Sequence, residues 1–406
     1  MVDFQGEDPG GMWQGEKDSV IYLDNAATAF PKAPGVAEAV FDYLVHVGAS
    51  AGRGGHLLAR KADAILWETR ELLADLLGIS DPRRVVFTLN VTQALNFALF
   101  GLLKEGDHVV TTSMEHNSVM RPLRHLERTR GIRISVARGD SEGRIQAEDI
   151  LSLTGPDTRL VVMNHASNVT GGILPVEEVA KGKGKWLLVV DAAQTAGAIP
   201  IDVEGWGIDV LAFTGHKALL GPPGVGGLCL GPGIEIPPTI HGGTGTRSES
   251  HDHPSDLPLS LEAGTHNMAG IAGLRAALLF LKAHNVESLR AKELSMMEVM
   301  MEELQDILGL TLYGPKSICH KVPVFSVNMA SMHPSHLAAV MEDGFGLMVR
   351  AGLHCSPSAH KTIGTFPHGT VRISFGPLHR EDHIHKTASA LKEISRQFGS
   401  VRASGK

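Results

Sequence analysis

Cysteine is scarce in this sequence of 406 residues, in which only Cys229, Cys319 and Cys355 occur. Three cysteines do not make a disulfide framework for a chain of this length, and no two of them have CxxC spacing. Nothing in the cysteine pattern therefore indicates an oxidising environment. We predict a protein of the reducing cytoplasm.

Long apolar runs and an excess of positive charge are also missing. No uninterrupted apolar stretch approaches the roughly 20 residues that span a bilayer, and the mean hydropathy of +0.03 is typical of a soluble protein. The acidic, glycine-rich segment 1–20 lacks the apolar core of a secretory signal, and we interpret it as a flexible N-terminal arm. The formal net charge of -7 argues against nucleic-acid binding. We expect neither a nucleic-acid partner nor a membrane.

Histidine, in contrast, is abundant, with 21 residues. His251 and His253 lie close together in a polar segment and could suggest a metal site. Because no cysteine or third histidine stands at ligand spacing nearby, a solvated loop is the favoured interpretation. We therefore predict no metal site.

The hydrophobic residues, 43% of the chain, are arranged in a pattern typical of an α/β protein. Continuous apolar runs alternate with helical patterns through the first two thirds of the sequence, as expected for parallel strands covered on both faces. A loop rich in Gly, Pro, Ser and His follows at about 231–262, and helices mixed with short strands come after it. We predict a large domain at 21–265 with a mostly parallel sheet and a smaller α/β C-terminal domain at 266–406.

Polar residues stand where the predicted strands of the large domain end. In an open α/β sheet, the ligand crevice lies at the carboxyl ends of the strands. We therefore expect the chemistry of the protein at this edge, which is marked by Asn90, Glu115, His165, Asp191 and Thr214.

Lys217 is the first candidate for a reactive group. It follows an apolar strand in TGHKALLGPPGVGG and has Phe213, Leu219 and Leu220 nearby. Burial lowers the pKa of a lysine amine and makes it a nucleophile toward carbonyl groups. On its own, the pattern also fits a lysine that snorkels from the end of a strand.

Asp191 strengthens this interpretation, because it ends the apolar strand WLLVVD and a buried carboxylate needs a partner. An aspartate that binds a pyridinium nitrogen and a lysine that forms a Schiff base are the recurring protein groups of pyridoxal-phosphate chemistry. Gln194 is placed to bond the ring oxygen, although Asp191 could also be a plain helix N-cap. Thr92, at the start of a predicted helix, suits a phosphate, and Thr214 and His216 could supply further donors.

Six ordered motifs, between about residues 20 and 380, carry a resemblance to a known family. They are YLDNAAT (22–28), MEHNSV (114–119), NHASNVTG (164–171), VDAAQ (190–194), TGHK (214–217) and EAGTHN (262–267). Together they resemble class V, fold-type I pyridoxal-phosphate enzymes, and most of all group II cysteine desulfurases and selenocysteine lyases.

The resemblance implies a role for each matching residue. His116 would stack on the pyridine ring and assist proton transfer, and Asn168 would contact the cofactor or the substrate. Asp191 and Gln194 would bind the ring nitrogen and ring oxygen. The phosphate would be bound by Thr92, Thr214, His216 and, from a second subunit of a homodimer, Thr265.

Two residues of the predicted C-terminal domain complete the expected site. Arg372 lies in a predicted strand, and its guanidinium suits a substrate carboxylate; the resemblance places the carboxylate-binding arginine here. Cys355 ends RAGLHC, which matches the RxGxHC pattern whose cysteine takes sulfur as a persulfide in the family. Positive neighbours, from Arg350 or from protonated His354 and His360, would favour the thiolate. Alternatively, Cys355 is a small apolar filler.

Two features depart from the family. Val91 stands where many relatives have a second threonine, so we expect one phosphate contact fewer. The segment SPSAHKTIGTFPHG after Cys355 differs from the usual desulfurase sequence, which affects the substrate more than the cofactor.

The expected activity is conversion of L-cysteine to L-alanine, with sulfur held on Cys355 and passed to an acceptor protein or thiol. The alternatives are a selenocysteine lyase, a transaminase or other β-lyase of the same family, and a catalytically silent protein that binds a cofactor or a partner.

Overall fold

A computed structural model describes residues 20–52, 54–245, 249–330 and 332–399. The predicted N-terminal arm therefore lies, except for Val20, outside the described residues. The strands of the described part are β1 (Ile21–Tyr22), β2 (Val85–Thr88), β3 (His108–Thr112), β4 (Arg133–Ala137), β5 (Thr158–Asn164), β6 (Leu187–Asp191), β7 (Val210–Thr214), β8 (Gly226–Leu230), β9 (Leu310–Tyr313), β10 (Val324–Met329), β11 (Leu347–Met348), β12 (Arg350–Gly352) and β13 (Thr370–Ser374).

Helices connect most of these strands. The α-helices of the described part are α1 (Val36–Asp42), α2 (Leu57–Leu77), α3 (Val91–Leu102), α4 (Asn117–Arg130), α5 (Ala147–Leu151), α6 (Val176–Lys181), α7 (Val203–Trp206), α8 (Met268–His284), α9 (Val286–Gln305), α10 (Pro334–Phe345), α11 (Pro357–Thr362) and α12 (Glu381–Gly399). A short π-helical segment, Tyr43–Val47, follows α1.

A seven-stranded sheet with the order β2-β8-β7-β6-β5-β3-β4 forms the centre of the first two thirds of the chain. The pairs from β4 through β7 are parallel, and β8 runs antiparallel to both of its neighbours. Strands β6 and β7 are almost wholly buried, as their continuous apolar residues predict for a sheet covered on both faces. The predicted α/β class with a mostly parallel sheet is confirmed.

The register of this sheet brings the polar strand ends together. Asn164, at the end of β5, lies directly beside Asp191, at the end of β6. Asp191 in turn pairs with Ala212 of β7, two residues before Thr214. Lys217 follows in the turn after β7. The polar residues at the carboxyl ends of β5, β6 and β7 therefore lie side by side at one edge of the sheet, as predicted.

The C-terminal part contains a four-stranded antiparallel sheet with the order β12-β13-β10-β9. Its core includes Ile21 and Leu23 from the start of the described chain, and β1 pairs with β11. Helix α8 instead packs in the core of the large sheet and contacts α1 and α2. The boundary at 265/266 remains a prediction, and the packing of α8 favours a boundary after that helix.

Candidate active site

Asp191 and Lys217 face each other at the carboxyl edge of the large sheet. Asp191 is 5% exposed, and one of its carboxylate oxygens accepts a hydrogen bond of 3.0 Å from the backbone N–H of Ala193. Burial raises the pKa of Asp191, although the nearby Lys217 ammonium partly offsets this effect. Burial likewise lowers the pKa of Lys217 to about 8, although Asp191 opposes the change. A substantial fraction of this amine is therefore neutral near pH 8, as a nucleophile toward an aldehyde must be.

His116 lies close to this pair, at the N-cap of α4. Its Nδ1 accepts a 3.0 Å hydrogen bond from the backbone N–H of Ser118. Burial, followed by the positive charges of Lys217, Arg372 and Arg121, lowers the pKa of His116 to about 4. The imidazole is therefore neutral at neutral pH, and its flat face is suited to stacking on an aromatic ring.

Two predicted phosphate ligands have buried polar atoms that make no hydrogen bond within the described residues. They are the hydroxyl of Thr214 and Nδ1 of His216. Buried polar groups are normally satisfied, so these orphaned atoms fit an anionic group that accepts from them. Thr92 lies in the first turn of α3, where backbone N–H groups also favour an anion.

Two other predicted ligands occupy different surroundings. Gln194 donates a 3.0 Å hydrogen bond to the carbonyl of Ala26 and lines the same small cavity as Lys217. Thr265 lies in a separate cleft that Gln93 and Phe97 help to form. Thr265 is therefore not part of the Lys217 cavity of its own chain.

Arg372 is buried, and much of its guanidinium already has partners. Its Nη2 donates to the Asp24 carboxylate at 2.6 Å, and its Nη1 donates to the Asn168 carbonyl at 3.2 Å. Asp24 also accepts from Nε of Arg350 at 2.8 Å, and Arg350 lies directly opposite Arg372 across the β12–β13 pair. The Nε of Arg372 is buried and makes no hydrogen bond within the described residues. A substrate carboxylate would therefore meet an arginine that is shared with Asp24.

Cys355 lies in an exposed turn and contributes to a surface cleft together with His116, Thr92 and Arg121. The turn contacts the start of α4, because the backbone N–H of Asn117 donates to the Cys355 carbonyl at 2.8 Å. The thiol and the predicted ring-stacking histidine therefore border one cleft.

The expectation of imidazolium neighbours for Cys355 is wrong for both histidines. Burial, with a contribution from the charge of Arg372, lowers the pKa of His354 to about 2 and that of His360 to about 4. Both rings are therefore neutral at neutral pH. Arg350, the remaining cation named from the sequence, is half-exposed and donates to the Asp24 carboxylate.

Asn168 was predicted to contact the cofactor or substrate, but its side chain is bonded to the Cys355 turn. Its Nδ2 donates to the His354 carbonyl at 2.7 Å, and its Oδ1 accepts from the Ser356 hydroxyl at 2.7 Å. The sequence contained no signal for this contact, because Asn168 and Ser356 are 188 residues apart.

Glu115 is a functional candidate to which the sequence gave no role beyond its place at a strand end. Its side chain is fully buried and accepts from the Thr112 hydroxyl at 2.5 Å and from the Asn164 backbone N–H at 3.1 Å. Burial, with the charge of Asp191 as a smaller contribution, raises the pKa of Glu115 to about 8. Glu115 is therefore mostly protonated at neutral pH.

Metal clusters and membrane-spanning helices are both absent from the described residues. Within 20–52, 54–245, 249–330 and 332–399, no group of three or more His, Cys, Asp or Glu side chains is arranged to hold a metal ion. In the same ranges, no helix has the length and apolar character that crossing a bilayer requires.

Comparison with protein families decides which group these features belong to. The family model described as aminotransferase class V matches residues 21–386 of this chain. The chain belongs to the class-V aminotransferase family. Within this family, curated relatives include a probable cysteine desulfurase of Pyrococcus abyssi, 32% identical over 391 residues that cover 94% of this chain and 96% of the relative. The cysteine desulfurase of Haloferax volcanii is 31% identical over 391 residues, which cover 93% and 90% of the two chains.

Solved structures of cysteine desulfurases have the same fold. The apo structure of a cysteine desulfurase from Thermococcus onnurineus NA1 has a TM-score of 0.88 and 30% identity, and covers 97% of this chain and 99% of that chain. The cysteine desulfurase CsdA from Escherichia coli has a TM-score of 0.83 and 25% identity, with 97% and 99% covered. The resemblance and the fold-type I architecture predicted from the sequence are confirmed.

Proposed function

We propose that the protein is a pyridoxal-phosphate-dependent cysteine desulfurase, which converts L-cysteine to L-alanine and takes the sulfur as a persulfide on Cys355. The observation that carries this proposal is the convergence of two chain regions. The amine of Lys217, whose pKa burial lowers to about 8, lies beside Asp191, while the turn that presents Cys355 is bonded to α4 one residue after His116. The names of the relatives support the same substrate.

The residues present fit the cofactor. The orphaned Thr214 hydroxyl and His216 Nδ1 are donors for its phosphate, together with Thr92 and, from a second copy of the chain, Thr265. Asp191 would face the ring nitrogen and Gln194 the ring oxygen, while His116 offers its ring face. When bound through Lys217, pyridoxal phosphate supplies an electron sink for the carbanion at the substrate Cα.

Each protein group then has a defined task. Lys217, once exchanged for the substrate amine, is a base of suitable pKa for the Cα proton. Arg372 fixes the substrate carboxylate. Its Nη2 donates to Asp24, whereas its Nε makes no hydrogen bond within the described residues and is therefore available as a donor. His116, whose pKa burial lowers to about 4, is unprotonated at neutral pH and is therefore a weak proton acceptor there.

The sulfur step balances without an external oxidant. The Cys355 thiolate attacks the substrate sulfur, so that an S–S bond forms while the C–S bond breaks. The electron pair of the broken bond stays with carbon, which takes up a proton and leaves as alanine. Cys355 then holds the persulfide, and its exposed position suits transfer to an acceptor protein or thiol.

We also propose a homodimer located in the cytoplasm. Several large apolar side chains are exposed on α1, the π-helical segment and α2, among them Phe41 at 64%, Leu44 at 63% and Leu57 at 59%. Exposed apolar patches of this kind are typical of protein interfaces. A dimer measured by light scattering would support this arrangement, and a monomer at micromolar concentration would contradict it.

The activity is tested with L-cysteine, a thiol reductant and four proteins. The wild type is expected to show a visible cofactor band and to release alanine and sulfide. Lys217→Ala should lose both the band and the activity, whereas Cys355→Ala should keep the band and lose at least about 100-fold in alanine release, as expected for a lost nucleophile.

Cys319→Ala is the matched control, because Cys319 is the other exposed free cysteine of the described residues. It should behave like the wild type. Full activity of Cys355→Ala with cysteine would contradict the role of this thiol, and the absence of any cofactor band from the wild type would contradict the proposal as a whole. Activity of Cys355→Ala on selenocysteine alone would identify a selenocysteine lyase, and turnover that requires a keto acid would identify a transaminase.

A further inference from the structure

The turn that presents Cys355 has a backbone that needs support. His354 has a φ of 47° and Cys355 a φ of 58°, so two consecutive residues with side chains adopt the left-handed conformation. This conformation is disfavoured for residues that have a Cβ. The geometry therefore persists only if the surrounding contacts hold it.

Asn168 and Ser356 provide such contacts from the two sides of the thiol. The Asn168 carboxamide donates to the carbonyl of His354, just before Cys355, and accepts from the hydroxyl of Ser356, just after it, each at 2.7 Å. Asn168 is 6% exposed and Ser356 is fully buried. We name these two hydrogen bonds the thiol clamp.

The Ser356 hydroxyl does not cap the helix that begins directly after it. Ser356 is the N-cap residue of α11, where a serine hydroxyl ordinarily accepts from the first backbone N–H groups of the helix. No side-chain capping bond is formed at this helix. The hydroxyl is directed to Asn168 instead, so its position serves the turn rather than the helix.

The thiol clamp is also joined to the proposed carboxylate site. Nη1 of Arg372 donates to the backbone carbonyl of Asn168 at 3.2 Å. Asn168 therefore touches both the guanidinium that would bind a substrate carboxylate and the turn that holds the nucleophile. Each end of the Asn168 carboxamide makes one hydrogen bond with the turn, so a substrate that takes over either of these bonds loosens the turn.

We propose that Ser356 is a positioning residue for Cys355, and that an amino-acid substrate opens the thiol clamp by taking over hydrogen bonds of Asn168. The thiol turn would thus be held fixed in the resting protein and released toward the substrate when the site fills. The second part of this proposal rests on the proposed function, whereas the first part does not.

The first part is tested by backbone hydrogen exchange in cofactor-free protein. Two amide groups report on the turn, those of Ser356 and Asn117, which bond the carbonyls of Leu353 and Cys355 at 2.8 Å each. Ser356→Ala should accelerate exchange of both amides about five- to tenfold, since it removes one buried hydrogen bond and leaves Asn168 unsatisfied. Ser358→Ala, a half-buried serine of α11, is the matched control and should leave these rates unchanged.

Two results would overturn the positioning role. One is an unchanged exchange rate of the turn in Ser356→Ala. The other is an acceleration that extends equally to the strands β5 and β6, because it would mean that Ser356 stabilises the whole fold rather than the turn.

The second part is tested in cofactor-loaded protein with saturating L-alanine, the proposed product. A shift of the visible spectrum reports that alanine has reached the site. Exchange of the turn should then accelerate several-fold in the wild type and by less than about twofold in Ser356→Ala, where the clamp is already weakened. A spectral shift without faster exchange in the wild type would overturn clamp opening. Absence of any spectral response would instead count against the proposed function.

Discussion

Lys321 offers a direct test of the energetics of this fold, because its side chain is fully buried. Its ammonium donates to the Thr170 carbonyl and lies over the ring of Phe325, 5.0 Å from the centroid. Burial nevertheless lowers the pKa of Lys321 from 10.5 to about 7, although Glu142 acts weakly in the opposite direction. At pH 7 the folded protein therefore holds this lysine half neutral, whereas the unfolded chain holds it protonated.

The difference in pKa sets the cost of burying this amine. A shift of this size corresponds to about 4 kcal/mol at pH 7, which folding must overcome. Lys321→Met removes this cost but leaves the Thr170 carbonyl without its donor, a loss of about 1–3 kcal/mol. We expect the variant to be more stable at pH 7 by about 2 kcal/mol, which for a chain of this length raises the melting temperature by about 2–3 °C.

The stability difference between Lys321→Met and the wild type is expected to depend on pH. Because the folded-state pKa of Lys321 lies below the unfolded one, the unfolded chain binds more protons between pH 7 and 10.5. The contribution of this residue to wild-type stability therefore rises with pH across that window. The advantage of Lys321→Met should shrink accordingly as the pH approaches 10.

Thermal unfolding of the cofactor-free protein at several pH values measures both effects. Lys316→Met, at an exposed position five residues earlier, is the control and should change the melting temperature little. A Lys321→Met protein that is less stable than the wild type at pH 7, or a stability advantage that does not vary with pH, would refute the assignment of a costly buried amine.

Three further predictions concern the site and its supports. Glu262→Gln should lower the free energy of unfolding by about 3–5 kcal/mol in denaturant titrations, because Arg70 would lose its buried charge partner. The double replacement of Arg70 and Glu262 by Met should recover most of that loss. A Glu262→Gln protein as stable as the wild type would contradict this prediction. As the pH rises from 4.5 to 8, the melting temperature of Glu115→Gln should fall less steeply than that of the wild type. In this range the folded wild type keeps a proton on Glu115 that the unfolded chain releases. Parallel plots of melting temperature against pH for the two proteins would contradict this prediction. Thr214→Val should weaken pyridoxal-phosphate binding at least about tenfold in fluorescence titrations, because it removes a donor to a charged group, with unchanged stability of the cofactor-free protein; equal affinity would exclude a phosphate contact.

Much of the large sheet could be predicted from the sequence, because its strands are short continuous apolar runs separated by helical patterns. Strands β5, β6 and β7 end at or next to the predicted residues His165, Asp191 and Thr214, and α3 begins beside Thr92 as predicted. The order of the strands and the antiparallel direction of β8 could not be predicted, because both depend on pairing between distant segments.

The candidate site shows the same division. Asp191 and Lys217 could be singled out because each follows an apolar strand, and neighbouring strands of one sheet bring their ends together. The partners of Arg372 and Asn168 could not, since Asp24 and Ser356 are separated from them by 348 and 188 residues. The neutral state of His354 was also out of reach, because it results from burial that a polar flanking sequence does not reveal.

Asp24 links the two ends of the chain through its ion pairs with Arg350 and Arg372. The residues around it are fixed in the same way, because β1 pairs with β11 and Asp24 bridges to Ser374. During synthesis, the large sheet can therefore form before Arg372 has been translated or has left the ribosome. Contacts this distant in sequence are expected to form late, so competence for substrate should arise only after the final strand has been released, well after the lysine and aspartate pair is in place.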